Sequence, residues 1–312
     1  MNKTIRIGTR GSQLALYQAY RVEEAINNRL PGVKTEIKII KTKGDIILDV
    51  ALSKIGDKGL FTKELEVELY GDTIDVAVHS LKDLPTLFPE KLVLGGVLER
   101  GEVRDALVHI NGKKFDELNE DDVIATSSLR RRAQLLRHNP NFRIVDIRGN
   151  VNTRLKKMQE GHCTAMVMAA AGLMRLNLEH LISQKLDPDV FIPAVSQGAI
   201  AMEVREKDTD TLEVMHEITH DHTLKAVLAE RKFLRILEGG CQVPIGCYSK
   251  LENNRFSIKG FVSDLQASKV LIDEWEGDEQ NCMNIAEGLA NSFLEKGAGE
   301  ILEEIRRQNN QH

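Results

Sequence analysis

Cys241 is the residue of this chain with the clearest capacity for covalent chemistry. It sits in Leu237-Glu238-Gly239-Gly240-Cys241-Gln242-Val243-Pro244-Ile245-Gly246, with two glycines before the thiol and a proline and a glycine after it. That composition predicts a sharply turned loop where backbone can approach a bound group closely. Free cysteines more often fill small apolar gaps, but core cysteines usually lie within strands or helices rather than between a glycine pair and a proline. A displayed thiol is a nucleophile or a point of covalent attachment. Cys163, Cys247 and Cys282 have no such setting, and without C-x-x-C spacing in a chain of this length all four read as thiols.

Arginine placement is the second chemical signal. Arg10, Arg130, Arg131, Arg148, Arg154 and Arg175 fall at predicted strand-to-loop or loop-to-helix junctions or on the first turns of helices. In open α/β sheets those junctions border the ligand crevice, and helix N-termini add backbone donors for anions. The guanidinium fork suits carboxylates and phosphates. Any one of these residues alone reads first as a solvated charge, and the Ser127-Ser128-Leu129-Arg130-Arg131-Arg132 run alone reads equally well as a solvated helix face. Together, in a chain of net charge −5, they point to a small polyanion and away from duplex DNA or an anionic membrane.

The elements that must position these groups alternate along the chain. Ile5-Arg6-Ile7 reads as a strand, followed by a helix opened at Gly11-Ser12 with Ala15, Ala19, Val22, Ile26 and Leu30 on one face and ended by Pro31-Gly32. Lys34 to Thr42 alternates like a strand, Thr62 caps a helix with Leu65 and Leu69 inward, and Ile74 to Val78 is a buried strand running into Ser80. Residues 123–126, 128–138, 143–147, 150–161 and 165–168 repeat the strand-helix alternation. After residue 220 come a helix with Leu224, Val227, Leu228, Leu234 and Leu237, strands near 246–251, 256–263 and 269–275, and one final helix from about 280 to 307.

We therefore expect an α/β protein of three domains. Residues 1–99 with 199–217 form one α/β domain, 100–198 a second, and 218–312 a small C-terminal α+β domain carrying the Cys241 loop. The 312 residues, 42% of them hydrophobic, suffice for proper cores, and the N-terminal stretch has no apolar run of signal-peptide length, an expectation of the cytoplasm. Two rival functions arise. His216-Glu217-Ile218-Thr219-His220 fits the H-E-x-x-H zinc pattern, which needs both histidines on one helix face and a third ligand. Two α/β lobes also suit a periplasmic-type anion-binding protein, against which the displayed Cys241 counts.

The blocks IRIGTRGSQLALYQ (Ile5 to Gln18), HSLKDLPT (His79 to Thr86), RGEVRDALV (Arg100 to Val108), TSSLRRRAQL (Thr126 to Leu135), RGNVNTRL (Arg148 to Leu155), AGLMRL (Ala171 to Leu176) and LEGGCQVPIG (Leu237 to Gly246) together resemble the signature of the porphobilinogen deaminases, also called hydroxymethylbilane synthases. Two departures are Ala125 before Thr126 and Ser196 before Gln197-Gly198, where the family commonly has glycine. A positive φ at either site would alter the local turn.

The resemblance implies two periplasmic-binding-protein-like α/β domains forming a cleft. It implies a cytoplasmic, monomeric transferase of haem and tetrapyrrole biosynthesis that joins four porphobilinogen units head to tail, releases ammonia, and yields hydroxymethylbilane. A dipyrromethane cofactor attached to the cysteine matching Cys241 primes the chain. Asp83 is implied as the catalytic carboxylate, stabilising positive charge as ammonia leaves, although Lys-Asp-Leu-Pro alone also reads as a strand exit with an Asx turn. Cofactor contacts fall to Lys82, Thr126, Ser128, Arg130, Arg131, Arg148 and Gln197. Substrate contacts fall to Arg10, Ser12, Gln18, Ser80, Arg148, Arg154 and Arg175, with no metal. The segment Gly44 to Lys58, with Asp45, Lys54 and Lys58, resembles the family's mobile cover.

Overall fold

The structure, a computed structural model, describes residues 4–42, 62–237 and 243–310. Cys241 and the Gly44–Lys58 segment lie outside the described residues. In chain order the elements are β1 (Thr4–Arg10), α1 (Gln13–Arg29), β2 (Lys34–Ile40), α2 (Lys63–Tyr70), β3 (Val76–Ser80), a 3-10 turn over Leu81–Asp83, β4 (Leu92–Val97), β5 (Asp105–His109), β6 (Val123–Ala125), α3 (Leu129–His138), β7 (Arg143–Val145), α4 (Val151–Gln159), β8 (Ala165–Ala169) and α5 (Ala170–Met174). There follow β9 (Gln184–Lys185), β10 (Ile200–Arg205), α6 (Thr209–Glu217), α7 (Asp221–Ile236), β11 (Ile245–Glu252), β12 (Arg255–Ser263), β13 (Val270–Asp278), α8 (Cys282–Glu295) and α9 (Ala298–Asn310).

Contacts divide the chain into two compact units. The first contains the described residues through Gly101 together with Gly198–Lys225, and the second contains Glu102–Gln197 and Ala226 onward. The first unit is built on a sheet of order β2-β1-β3-β10-β4, with β1 parallel to β2 and β3, and β10 antiparallel to β3 and β4. Strand alternation sends Val76 and Val78 to one face, against Ala19, Val22 and Ile26 of α1. Ala77 faces the other way, against Leu65 and Leu69 of α2. Helix α1 carries the apolar spacing the sequence predicts and is capped by Ser12, whose hydroxyl accepts from the Ala15 amide. Thr62 precedes α2 but its side chain makes no capping bond.

The second unit holds a sheet of order β7-β6-β8-β5-β9, in which β6 is parallel to β7 and β8 while β5 runs antiparallel to β8 and β9. Leu135 of α3 packs on one face with Ile124 and Val167, and Leu155 and Met158 of α4 pack on the other with Ala125 and Met166. The same unit carries the antiparallel sheet β11-β12-β13, covered by α7, α8 and α9 around Phe233, Phe256 and Phe293. Phe261 of β12 packs with Ala133 and Ile192, tying the two sheets of this unit together.

One sequence expectation is corrected, and one rival pattern loses its geometry. The single final helix is two, because Gly297 adopts φ +93° between α8 and α9, a left-handed conformation that ends a helix. The H-E-x-x-H pattern does not lie on one helix: α6 ends at Glu217, and His220 instead bonds Thr223 at the start of α7. His216 and His220 therefore lack the shared helical face that a zinc pair needs. Among the described residues no helix is long and apolar enough to cross a membrane.

Candidate active site

In the first unit the site residues gather at the C-terminal ends of parallel strands β1 and β3. Arg10 ends β1, Ser12 caps α1, and Gln18 on the buried face of α1 donates from Nε2 to Ser80 Oγ at 2.7 Å, where β3 ends. The chain then enters the 3-10 turn because Leu81 and Leu84 are both buried, 0% and 3% exposed, and fasten it at two points. Leu81 also donates its amide to the Ala199 carbonyl at 3.1 Å, and Leu84 its amide to the Leu81 carbonyl at 3.2 Å. Between these anchors Lys82 is half-buried and Asp83 is exposed. The Asp83 carboxylate makes no hydrogen bond or ion pair among the described residues. On the opposite face of β3, His79 Nε2 lies 3.0 Å from the buried Glu203 carboxylate of β10.

The second unit repeats the arrangement at the ends of β6, β7 and β8. Thr126 follows β6, bonds the Val145 carbonyl through its amide, and receives the Ser128 amide on Oγ1 at 3.3 Å. Ser128 caps α3, so Arg130 and Arg131 fall in its first turn. Arg148 follows β7, and Arg154 in α4 donates from Nε to the Gly149 carbonyl at 2.8 Å. Arg175 caps α5 behind β8. Burial pulls the Arg148 guanidinium below its ordinary value against the opposing pull of Asp146, and its Nη2 is buried without a hydrogen-bond partner. A buried cationic donor in that state is ready for an anionic acceptor.

Sequence reading did not single out the carboxylate that organises this group. Asp105, fully buried, accepts from Arg130 Nη1 at 2.7 Å, from Arg131 Nε and Nη2 at 3.0 and 2.6 Å, and from Gln197 Nε2 at 3.0 Å. Arg130 further bonds the Ile192 carbonyl and Arg131 the Val167 carbonyl. The available signal was a charged residue opening the apolar run Ala106-Leu107-Val108 in β5. Of the two departures from glycine, Ala125 is an ordinary buried strand residue, whereas Ser196 does take a positive φ, +62°.

Burial alone would raise the Asp105 carboxyl, but Arg130 and Arg131 drive it well below the usual carboxylate range. Glu102 is lowered to about 2, chiefly by its hydrogen bond from Arg104. A depressed folded-state value contributes stability that is present above the unfolded value, about 4, and is lost as pH falls through the folded one. The thermal midpoint should therefore hold from pH 7 to 5 and fall from about pH 4 downward. Asp105→Asn, which leaves two buried guanidiniums without their counter-charge, should cost about 3–5 kcal/mol at pH 7 by denaturant unfolding. A midpoint flat to pH 2 would contradict the assignment.

Each unit thus presents cationic and hydroxyl donors at strand ends of an α/β sheet, the construction of a protein that holds small polyanions. Residues 5–213 match the family model described as porphobilinogen deaminase, dipyromethane cofactor binding domain, and residues 224–295 match porphobilinogen deaminase, C-terminal domain. The porphobilinogen deaminase of Carboxydothermus hydrogenoformans is 47% identical over 311 residues, covering 100% of each chain. That of Pelotomaculum thermopropionicum is 47% identical over 308 residues, 99% of each. Among solved structures, the periplasmic VFT2 domain of Bordetella pertussis BvgS aligns with a TM-score of 0.42 at 14% identity over 72% of this chain and 92% of that one. The chain belongs to the porphobilinogen deaminase family.

Proposed function

We infer that this chain is a transferase that joins four porphobilinogen molecules head to tail, releases ammonia at each addition and consumes one water to free the product as hydroxymethylbilane. The observation that carries this reading is the family match over both residues 5–213 and residues 224–295. The residues present also fit the implied cofactor. Dipyrromethane bears carboxylate side chains, and the second unit offers Thr126, Ser128, the Arg130–Arg131 pair and the orphaned Nη2 of Arg148. When bound, the dipyrromethane group supplies the pyrrole carbon to which the first substrate unit joins.

Cys241 is the attachment point in this proposal, and Asp83 the catalytic carboxylate. Presented in solvent on an anchored turn, Asp83 stabilises positive charge on the substrate pyrrole as the amine leaves and holds the protons that move there. Lys82, Thr126, Ser128, Arg130, Arg131, Arg148 and Gln197 hold the cofactor. Arg10, Ser12, Gln18, Ser80, Arg148, Arg154 and Arg175 hold substrate carboxylates. We assign the chain three domains, 1–99 with 199–217, 100–198 and 218–312. The last of these contains the residues matched to the C-terminal family model, and the two separate sheets of the second unit support dividing it. A monomer working in the cytoplasm, without nucleic acid or membrane, completes the proposal.

The arginines should separate by role. Losing one desolvated charge-assisted contact costs roughly 1.5–3 kcal/mol, about ten- to a hundredfold in affinity. Arg130→Leu and Arg131→Leu should leave mostly chain of unmodified mass. Arg10→Leu and Arg154→Leu should keep the adduct but block the first additions, and Arg148→Leu and Arg175→Leu should accumulate partly elongated species. Lysine at these positions should recover only part of the activity, because a point charge lacks the fork. Mass spectra after mixing with porphobilinogen read each stalled species directly. A uniform small loss at all six positions, with no stalled species, would contradict the binding assignment.

A further inference from the structure

Ser196 occupies a conformation that its own side chain does nothing to support. Its φ is +62°, the left-handed region that favours glycine, and its hydroxyl is buried without a hydrogen-bond partner. The turn is held from outside. The Ser196 amide donates to Glu230 Oε2 at 2.7 Å, while Glu230 Oε1 accepts from the Ser249 amide at 2.9 Å and the Ser249 hydroxyl at 2.8 Å. Glu230 itself is fully buried on α7. The same stretch is pinned twice more, by Gln134 on both the amide and the carbonyl of Ile192 and by the Cys247 amide on the Pro193 carbonyl.

One residue further on, Gln197 donates from Nε2 to the Val103 carbonyl at 2.8 Å and to Asp105 at 3.0 Å. Asp105 in turn carries Arg130 and Arg131. Hydrogen bonds at either end, joined by the Ser196–Gln197 backbone, therefore connect Glu230 to the arginine pair, all within the second unit. Its outer end is fixed to α7 and β11, the elements that precede and follow the Cys241 block in sequence.

We propose that Glu230 is a positioning residue for the arginine pair: by holding Ser196 in the left-handed region it seats Gln197 on Asp105, and so sets the orientation in which Arg130 and Arg131 receive the carboxylates of the dipyrromethane group. This rests on the function proposed above. Only a carboxylate meets the requirement, since both of its oxygens accept, whereas glutamine turns one of them into a donor facing an N–H or O–H.

The test is a double-mutant cycle on cofactor acquisition, starting from apo-protein made in cells that cannot form porphobilinogen. After porphobilinogen is added, the growth of adduct mass is followed well below the thermal midpoint of every variant. Glu230→Gln should acquire the adduct about tenfold more slowly or worse, as expected for the loss of a hydrogen bond to a charged group. Ser196→Gly should load like wild type, because glycine takes the left-handed conformation unaided. The double variant should recover most of the rate. A contact that only stabilises the fold would lower the thermal midpoint in both backgrounds and leave loading of the folded protein untouched, which would overturn the proposal. Should Glu230→Gln fail to fold, amide exchange on wild type decides: the Ser196 N–H should exchange as slowly as strand amides, and fast exchange would overturn the clamp. Wild type that acquires no adduct overturns the proposed function and this inference together. Wild type and Glu230→Gln loading equally overturns the inference alone.

Discussion

Asp83→Asn should lower turnover by at least about a hundredfold while leaving the cofactor attached and the fold intact. The substitution preserves the shape of the side chain and removes its negative charge, and each 1.4 kcal/mol of lost transition-state stabilisation is about tenfold in rate. Folding is insulated from the change because the turn is fastened by Leu81 and Leu84, not by the carboxylate. The midpoint of thermal unfolding should accordingly move by no more than an ordinary surface substitution moves it, within about 0.5 kcal/mol. Asp83→Glu, which keeps the charge and displaces it, should fall between the two. Steady-state turnover measured beside intact mass separates the cases, and near-normal turnover of Asp83→Asn with cofactor in place would remove Asp83 from the chemistry.

Cys241→Ala should have a larger effect still. Without the thiol there is no covalent anchor for the primer, so the variant should carry the bare mass of its sequence and lose turnover by roughly a thousandfold or more. Cys241→Ser should behave alike, since a hydroxyl is not the thiolate nucleophile. No other cysteine can take over. Cys163, Cys247 and Cys282 are 3%, 0% and 7% exposed, and burial pushes the Cys163 thiol up to about 11. Serine at those three positions should leave the adduct in place, with any cost confined to packing. Adduct on the Cys241 variants would place the attachment elsewhere.

How much of this was legible in the sequence depended on whether the deciding contacts were local. The inward face of α1 follows from the spacing of Ala15, Ala19, Val22 and Ile26, because a helix writes its burial into a period of 3.6. Arg148 and Arg175 were expected at junctions between elements, and they lie just after β7 and at the C-terminal end of α5. The antiparallel strands β4, β5 and β10 were not separated from the loops around them. Each is a short buried run, and β10 pairs with β3 and β4 from more than a hundred residues downstream, at Val76↔Val204 and Leu92↔Arg205. Gly297 was absorbed into one final helix because the apolar spacing continues across it from Phe293 to Ile301, and only its φ divides α8 from α9. Within the site, the arginines could be read from their junctions, whereas their shared partner Asp105 lies 25 and 26 residues away from them and Glu230 lies 34 residues from Ser196. Long-range hydrogen bonds of that kind leave no periodic trace.

In the proposed function a dipyrromethane group is carried on Cys241 as the primer for assembly. Intact mass of the purified, active protein followed by peptide mapping tests it most directly. The chain should be heavier than its sequence by one dipyrromethane, with the added mass confined to the peptide that contains Cys241. An active preparation whose mass equals that of the bare sequence, or whose Cys241 peptide is unmodified, would contradict it.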